Sequence, residues 1–425
     1  MKTLQYFLGL LGSCFFVLGC SNDDNNSNRQ EENNPPNAFE LISVANNSTD
    51  VDVVPEFTWE EAADVDGDQV RYNIFLDTDP NPSMAIVSDL SINSFQTIER
   101  LSLYETYYWK VIANDGQGGI TESETFSFET RGLRFPTDPV IETAPFLERT
   151  FHTMTTFQDE LWLIGGLNGI EGSLNDIWRS SNGGTWEEVI PSPVFEARDS
   201  HDALVFDDKL WVLGGFSSDL LDGLNDVWSS TDGMSWTEVT ANAAFSPRFE
   251  FSTVVFDSKI WVIGGDTITG IGTLNDIWTT ADGTNWTEIP VTNHFSPRTG
   301  HTSTVFANKI WVIGGFTGLS GASNEVWSSE DGITWNQNPS VPFPNRFHHN
   351  SVVYDGKLWI IGGESQGELL NDVWFSEDGV DWIEVLEDTR FGARTNHANT
   401  VFDDKIWLAA GRTETGSQND IWFFD

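Results

Sequence analysis

A pattern that returns about every 50 residues governs what this chain can become. The first tryptophan of each copy stands at Trp162, Trp211, Trp261, Trp311, Trp359 and Trp407, at intervals of 49, 50, 50, 48 and 48 residues. Each copy runs from an Arg through a segment that usually ends Phe-x-x-Lys. An apolar Trp-bearing segment closing on Gly-Gly follows, then an Asn-Asp-x-Trp element and, in most copies, Asp-Gly-x-x-Trp. Short apolar runs separated by turn residues are strands, and a unit this small buries its apolar face only against its neighbours. Four strands fit each copy; in the fourth they are expected at His301 to Phe306, Ile310 to Gly314, Val326 to Ser329 and Thr334 to Asn336.

The sixth copy stops at Asp425, just after its third strand, whereas Pro139-Val140-Ile141-Glu142 precedes the first Arg as the fourth strands precede theirs. A strand over 139–143 is therefore expected to complete the last copy, closing the array and removing two open sheet edges. Of the 19 Trp, 17 lie in the array. Their recurrence at fixed strand positions marks them as packing rather than ligand-stacking residues.

The doublets Gly165-Gly166, Gly214-Gly215, Gly264-Gly265, Gly314-Gly315 and Gly362-Gly363 resemble the signature of kelch proteins, with Ala410-Gly411 a departure in the last copy. That resemblance implies a six-bladed kelch-type β-propeller over 132–425. The turns at Asp232-Gly233 and Asp331-Gly332 look like shortened Asp-boxes of sialidase-type propellers, and their Asp-Gly chemistry suits a tight turn.

Residues 1–19 combine Lys2, an apolar run from Phe7 to Leu18 and a small residue before Cys20, the layout of a secretory signal too short to stay as a membrane span. Val17-Leu18-Gly19-Cys20 resembles the lipobox of bacterial lipoproteins, which implies acylation of Cys20. The expected location is the cell envelope, lipid-anchored and in the outer membrane. Asp23 and Asp24 resemble the surface-export signal of Bacteroidetes-type lipoproteins. Residues 20–37 read as a polar tether. From 38 to 131, alternating segments such as Arg71 to Leu76 and Tyr107 to Ala113 indicate a β-sandwich. It resembles a fibronectin type III or Ig-like module, with Trp59 in the place of the buried strand-B Trp and Tyr107 in that of the tyrosine corner. The fold class is thus all-β, a sandwich followed by a propeller. Asp64, Asp66, Asp68 and Asp115 fall in two loops expected at one end of the sandwich. They read either as a Ca²⁺ site or as plain acidic turns; Gln69 and Phe75 exclude an EF-hand.

The net charge of −44, from 65 acidic against 21 basic residues, repels phosphates and sets nucleic acid aside as a partner. Within the array, the connections of strands one to two and three to four are nearly uniform. The others vary, as in Phe216 to Gly223, Asp266 to Thr273 and Arg412 to Ser417, so the varied face is the expected binding surface. Every copy starts with an Arg: Arg149, Arg198, Arg248, Arg298, Arg346 and Arg394. Six cations in a ring need counter-charges, which Asp176, Asp226, Asp276, Glu325, Asp372 and Asp420 can supply; alternatively some of the arginines contact an anionic ligand. His152, His201, His301, His349 and His397 recur three residues on, with Phe251 in the third copy, a regularity that speaks for packing or hydrogen bonding. The position just before does not repeat: Phe151, Ser200, Glu250, Gly300, His348 and Asn396. Ser200, Glu250, His348 and Asn396 are accordingly candidate ligand contacts, and Glu250 with His348 a candidate acid/base couple.

The kelch resemblance alone selects no function. A galactose oxidase-like radical copper site is excluded, because the array has no Cys and only Tyr354 as a tyrosine. Two readings stand. One is a non-catalytic, monomeric, cofactor-free module that binds a glycan or an envelope or extracellular protein, touching the membrane through its lipid anchor alone. The other is an enzyme resembling sialic acid mutarotase, acting on an acidic sugar.

Overall fold

The computed structural model describes residues 32–189, 195–268, 272–291, 293–386, 389 and 391–425. The chain divides into two compact units, one made of residues up to Ser48, Pro55–Thr97 and Thr106–Phe128, the other of Thr49–Val54, Ile98–Glu105 and Glu129–Asp425. The leader of residues 1–19, Cys20 and the tether as far as residue 31 lie outside the described residues. Among the described residues, no helix is long and apolar enough to cross a membrane.

The first unit is built on Glu56–Trp59, Arg71–Asp77 and Thr106–Asn114. Their inward residues Phe57, Trp59, Tyr72, Ile74, Trp109, Val111 and Ala113 are almost completely buried, as strict period-two alternation requires. Residues expected in the tether are held to this unit: Asn33 Nδ2 donates to Asp115, the Asn34 amide to Asp66 and the Asn37 amide to the Ala63 carbonyl. The folded chain therefore starts before residue 38.

In the second unit the described residues form five four-stranded antiparallel sheets and a three-stranded sixth, each in simple sequence order. The first strands are Thr153–Phe157, Asp202–Phe206, Ser252–Phe256, Thr302–Phe306, Asn350–Tyr354 and Ala398–Phe402. Each packs against the first strand of the next sheet, and the sixth against the first. The second strands, such as Glu160–Asn168 and Lys209–Ser217, are buried on both faces, which is why they read as unbroken apolar runs. The Phe-x-x-Lys connection is a two-residue hairpin turn with both central residues left-handed, as at Asp207 (φ 50°) and Asp208 (φ 55°); Asp, Asn, Ser and Gly meet that demand at most of these positions, and Gln158 and Ala307 are the exceptions. On the third strand of the sixth sheet, Gly416–Phe424, the Val140 amide donates to the Ile421 carbonyl at 2.7 Å and the Ala144 amide to Asn419 at 3.1 Å.

Neighbouring sheets interlock through the third turn. The left-handed glycine there lies flat on the second-strand tryptophan of the preceding sheet: Gly233 on Trp162, Gly283 on Trp211, Gly332 on Trp261, Gly379 on Trp311 and Gly183 on Trp407. A Cβ at any of them would fall 2.0 to 2.3 Å from the indole. The aspartate of these turns works locally: Asp331 Oδ1 accepts the Ile333 and Thr334 amides at 2.8 and 2.7 Å. This keeps Thr334 in the turn, so the fourth strand is Asn336–Gln337, two residues later than its expected start. The sixth sheet lacks such a turn, and Tyr104 stacks on Phe375 (4.7 Å) beside Trp359.

Candidate functional site

The recurring polar residues are consumed inside the second unit. All six arginines are buried, at 0 to 2 % exposure. Arg198 is typical: Nη1 and Nη2 reach the two Asp226 oxygens at 2.9 and 2.7 Å, Nη1 also donates to the Gly214 carbonyl, Nε donates to Glu196, and the guanidinium lies over the Phe195 ring. Arg149, Arg248, Arg346 and Arg394 make the same forked pairs with Asp176, Asp276, Asp372 and Asp420. Arg298 meets Glu325 through one oxygen, at 2.5 Å. The same carboxylates accept the indole N–H two residues on, Trp228 for Asp226. The preceding asparagine clasps the approach to the next Arg, with Asn225 Nδ2 donating to the Ala243 and Phe245 carbonyls. Every donor of these arginines that points inward thus has an acceptor, and the structure brings none of the six to the axis.

The glycine doublets explain the recurring histidines. The second strand bulges at the doublet, where both glycines have positive φ (Gly314 62°, Gly315 100°). A Cβ on Gly314 would meet His349 Cε1 of the next sheet at 2.8 Å, and one on Gly315 would meet His301 Cβ of its own sheet at 2.7 Å. The doublet is therefore the slot in which one sheet receives the next sheet's ring. His201, His301 and His349 each contact a hydroxyl of the preceding first strand through Nε2: Thr153 (3.2 Å), Ser252 (2.9 Å) and Thr302 (3.1 Å). Burial, then the adjacent arginine, pushes His201 and His301 down to about 3; His397 falls to the same value, and His152 and His349 are also well depressed. These imidazoles are neutral.

The non-repeating residues meet at the hub. Phe151, Ser200, Glu250, Gly300, His348 and Asn396 all adopt the left-handed conformation, with φ between 51° and 59°. Their backbones form a cyclic chain of hydrogen bonds of 2.7 to 3.2 Å, each amide donating to the carbonyl of the preceding sheet and Phe151 donating to Asn396. Large and small side chains alternate around this annulus. Phe151, Glu250 and His348 converge: Glu250 Oε2 lies 3.0 Å from His348 Nε2 and accepts from Thr299 Oγ1 at 2.9 Å, while the Phe151 and His348 rings meet edge-on at 5.1 Å. The Glu250–His348 contact is close, but its angles fall short of a well-aligned hydrogen bond at the ring nitrogen. A Cβ on Gly300 would touch His348 Cδ2 at 2.5 Å, so the small residue makes room for the large one. Burial pushes the Glu250 carboxyl up, but His348 and the Thr299 hydroxyl hold it below the ordinary range. Sequence reasoning brought these two residues forward only because they break the repeat; the contact across the intervening sheet is the structure's contribution.

Around the annulus lies a collar the sequence reading missed. The residue after each Arg bridges to the residue after each doublet, as in Asp199 with Phe216, Phe249 with Asp266, Thr299 with Phe316 and Phe347 with Glu364. Phe216 meets Phe249 at 5.8 Å and Phe316 meets Phe347 at 5.5 Å, all four half-buried. Burial raises Asp199 and Asp266, with Glu250 adding repulsion to both. The aromatic residues and the acids were each visible in the sequence, but only the bridges show that they share one rim.

A cavity of about 270 Å³ lies on the axis, lined by the annulus and by the first residues of the six first strands. Its wall is chiefly hydroxyl and amide groups and includes Asp202, Thr253, Ser303 and Asn350. Asp202 lines this cavity half-buried, and lost hydration pushes its carboxyl up to about 6, against hydrogen bonds from Thr253 and the Ala203 amide. None of the six arginines lines the cavity.

In the first unit two of the four sequence-predicted aspartates hold turns, and Asp66 accepts from Asn34. Asp64 Oδ1 accepts the Asp66 and Asp68 amides (2.9 and 3.2 Å), and the buried Asp115 accepts Asn33 Nδ2 and the Gln117 and Gly119 amides. Lost hydration, then Asp64, Asp115 and Asp66, raises Asp68. Among the described residues, no group of three or more His, Cys, Asp or Glu converges as a metal site.

Compared with known protein families, the chain matches the model described as the KLHDC2/KLHL20/DRC7 Kelch-repeats domain, over residues 116–265 and 252–425. No curated protein matches it.

Proposed function

Because the chain belongs to the kelch-repeat domain family, whose model matches it over 116–265 and 252–425, we propose that it is a non-catalytic binding protein: a six-bladed kelch propeller that engages a protein partner through the rim around its hub. One observation carries this reading. Polar residues that repeat are spent on internal partners, whereas residues that break the repeat gather at one end of the axis, beside the variable connections. The half-buried Phe216, Phe249, Phe316 and Phe347 are the anchors such a surface needs, and Glu250, His348, Ser200 and Asn396 are its polar centre. A glycan is the alternative ligand class on the same rim.

The propeller is displayed at a membrane surface. Cys20 carries the lipid anchor, and a fibronectin type III-like module spaces the propeller from an outer-membrane surface. A Cys20→Ser change would move the protein from the detergent phase to the aqueous phase on partitioning.

The test of binding pairs a glycan array with capture from envelope extracts, comparing the native protein with Phe249→Ala/Phe347→Ala and with Glu238→Lys on an exposed outer strand. Loss in the rim variant alone is expected. Equal capture by all three places the contact elsewhere, and silence in both formats ends the reading.

The Glu250–His348 pair at 3.0 Å supports a second reading, a mutarotase-like acid/base couple for an acidic sugar. It requires a cation for the sugar carboxylate, and the arginines do not line the cavity. Accelerated anomer exchange by NMR, abolished in Glu250→Gln, would establish it.

A further inference from the structure

Two departures from the repeat sit side by side. In three sheets the first residue of the first strand is a hydroxyl that contacts the next sheet's imidazole: Thr153 with His201, Ser252 with His301 and Thr302 with His349. Where the third sheet carries Phe251 in place of histidine, the preceding sheet carries Asp202 in place of the hydroxyl. The phenyl ring offers no hydrogen bond, so Asp202 turns to Thr253, whose amide and hydroxyl meet Oδ2 at 2.7 and 2.9 Å. Oδ1 accepts only the Ala203 amide, at 2.8 Å.

The result is a half-buried carboxylate on the wall of the axial cavity. The cavity wall contains no Lys or Arg among the described residues, and its recurring histidines are neutral; His348 belongs to Glu250. A carboxylate drawn partly out of bulk water is favoured by a proton or by a counter-ion. The surroundings suit the second course. Thr302, Ser303 and Asn350 line the same cavity, and Asn399, 9 % exposed on its wall, has both amide atoms without a hydrogen-bond partner among the described residues. The space, about 270 Å³, takes an ion and several waters at roughly 30 Å³ each.

We infer that the axial cavity seats a monovalent cation, held by the Asp202 carboxylate and neutral oxygens of the first strands. A single negative charge among hydroxyl and amide donors matches a monovalent ion; calcium sites draw on more carboxylates and a fuller oxygen shell. The ion neutralises the charge that Asp202 brings where the other sheets have neutral residues. It shares the axial cavity with Phe151, Glu250 and His348 and does not depend on what binds the rim.

Crystals of the full chain soaked in thallium(I) acetate test this directly. An anomalous peak is expected within about 3 Å of Asp202 Oδ1, absent in Asp202→Asn. Melting of the native protein in potassium chloride against N-methyl-D-glucamine chloride at equal ionic strength should differ by a few degrees, a difference Asp202→Asn removes. A native cavity holding water alone, a peak that persists in the variant, or equal melting in the two salts overturns the inference.

Discussion

Lowering the pH from 7 to 5 should destabilise this protein by several kcal/mol, and the histidines behind the glycine doublets are the reason. His201, His301 and His397 have folded pKa values of about 3 against an ordinary 6.5. Above 6.5 both states are neutral and the full stability is present; as pH falls from 6.5 toward 3 only the unfolded chain takes up protons, so stability is lost throughout that window. At pH 5 each ring costs about 1.5 × 1.36, or ~2 kcal/mol, hence about 6 kcal/mol for the three. His152 and His349 act in the same direction. Asp202 opposes them: its folded pKa, raised to about 6, lets the native state protonate first, returning about 1 kcal/mol over the same interval. A net loss of about 5 kcal/mol or more rivals the whole stability of an ordinary domain. Urea titrations followed by tryptophan emission would measure it. His301→Phe installs the ring that Phe251 already provides in the third sheet, and should lower the pH slope by about one proton. A midpoint unchanged between pH 7 and 5, or an unaltered slope in His301→Phe, would refute the argument.

Four further outcomes follow from the contacts around the arginines and doublets. Arg198→Met should destabilise by about 3–5 kcal/mol in denaturant titration, because it strands Asp226, and adding Asp226→Leu should restore part of the loss. Glu325→Asp should gain about 1 kcal/mol, since Arg298 and Trp327 would then receive the shorter, forked carboxylate found in the other five sheets. Gly314→Ala should lower Tm sharply, its Cβ meeting the Arg346 carbonyl at 2.7 Å. Ala410→Gly, which relieves a left-handed alanine at φ 52°, should raise stability by about 1 kcal/mol.

What could be read in the sequence was whatever one copy states by itself. The arginine and its Asn-Asp carboxylate lie 26 to 28 residues apart within a copy, and the need to neutralise six buried cations pairs them without coordinates. Contacts that join one copy to the next leave no such trace. That Gly332 must be glycine because Trp261 of the preceding sheet lies 2.3 Å from its missing Cβ follows from placement alone. So does the difference between a tether and the asparagines at 33 and 34 that hold Asp115 and Asp66, because polar residues look alike whether or not an acceptor waits for them.

The hub shows why irregularity was the more informative signal. A cyclic annulus of six left-handed residues could be built from six glycines, and backbone energetics alone would favour that choice. Instead five of the six positions carry side chains at a conformational cost of about 1 kcal/mol or more each, and three of them, Phe151, Glu250 and His348, are large and point at one another. Packing needs only that the axis be filled, which apolar side chains would do without burying a charge. A carboxylate and an imidazole there, and a second carboxylate at Asp202 where the third sheet gives up its histidine, are placed against the interests of stability. Residues held at such a cost, in an otherwise self-satisfied array, are where a partner or an ion is to be sought.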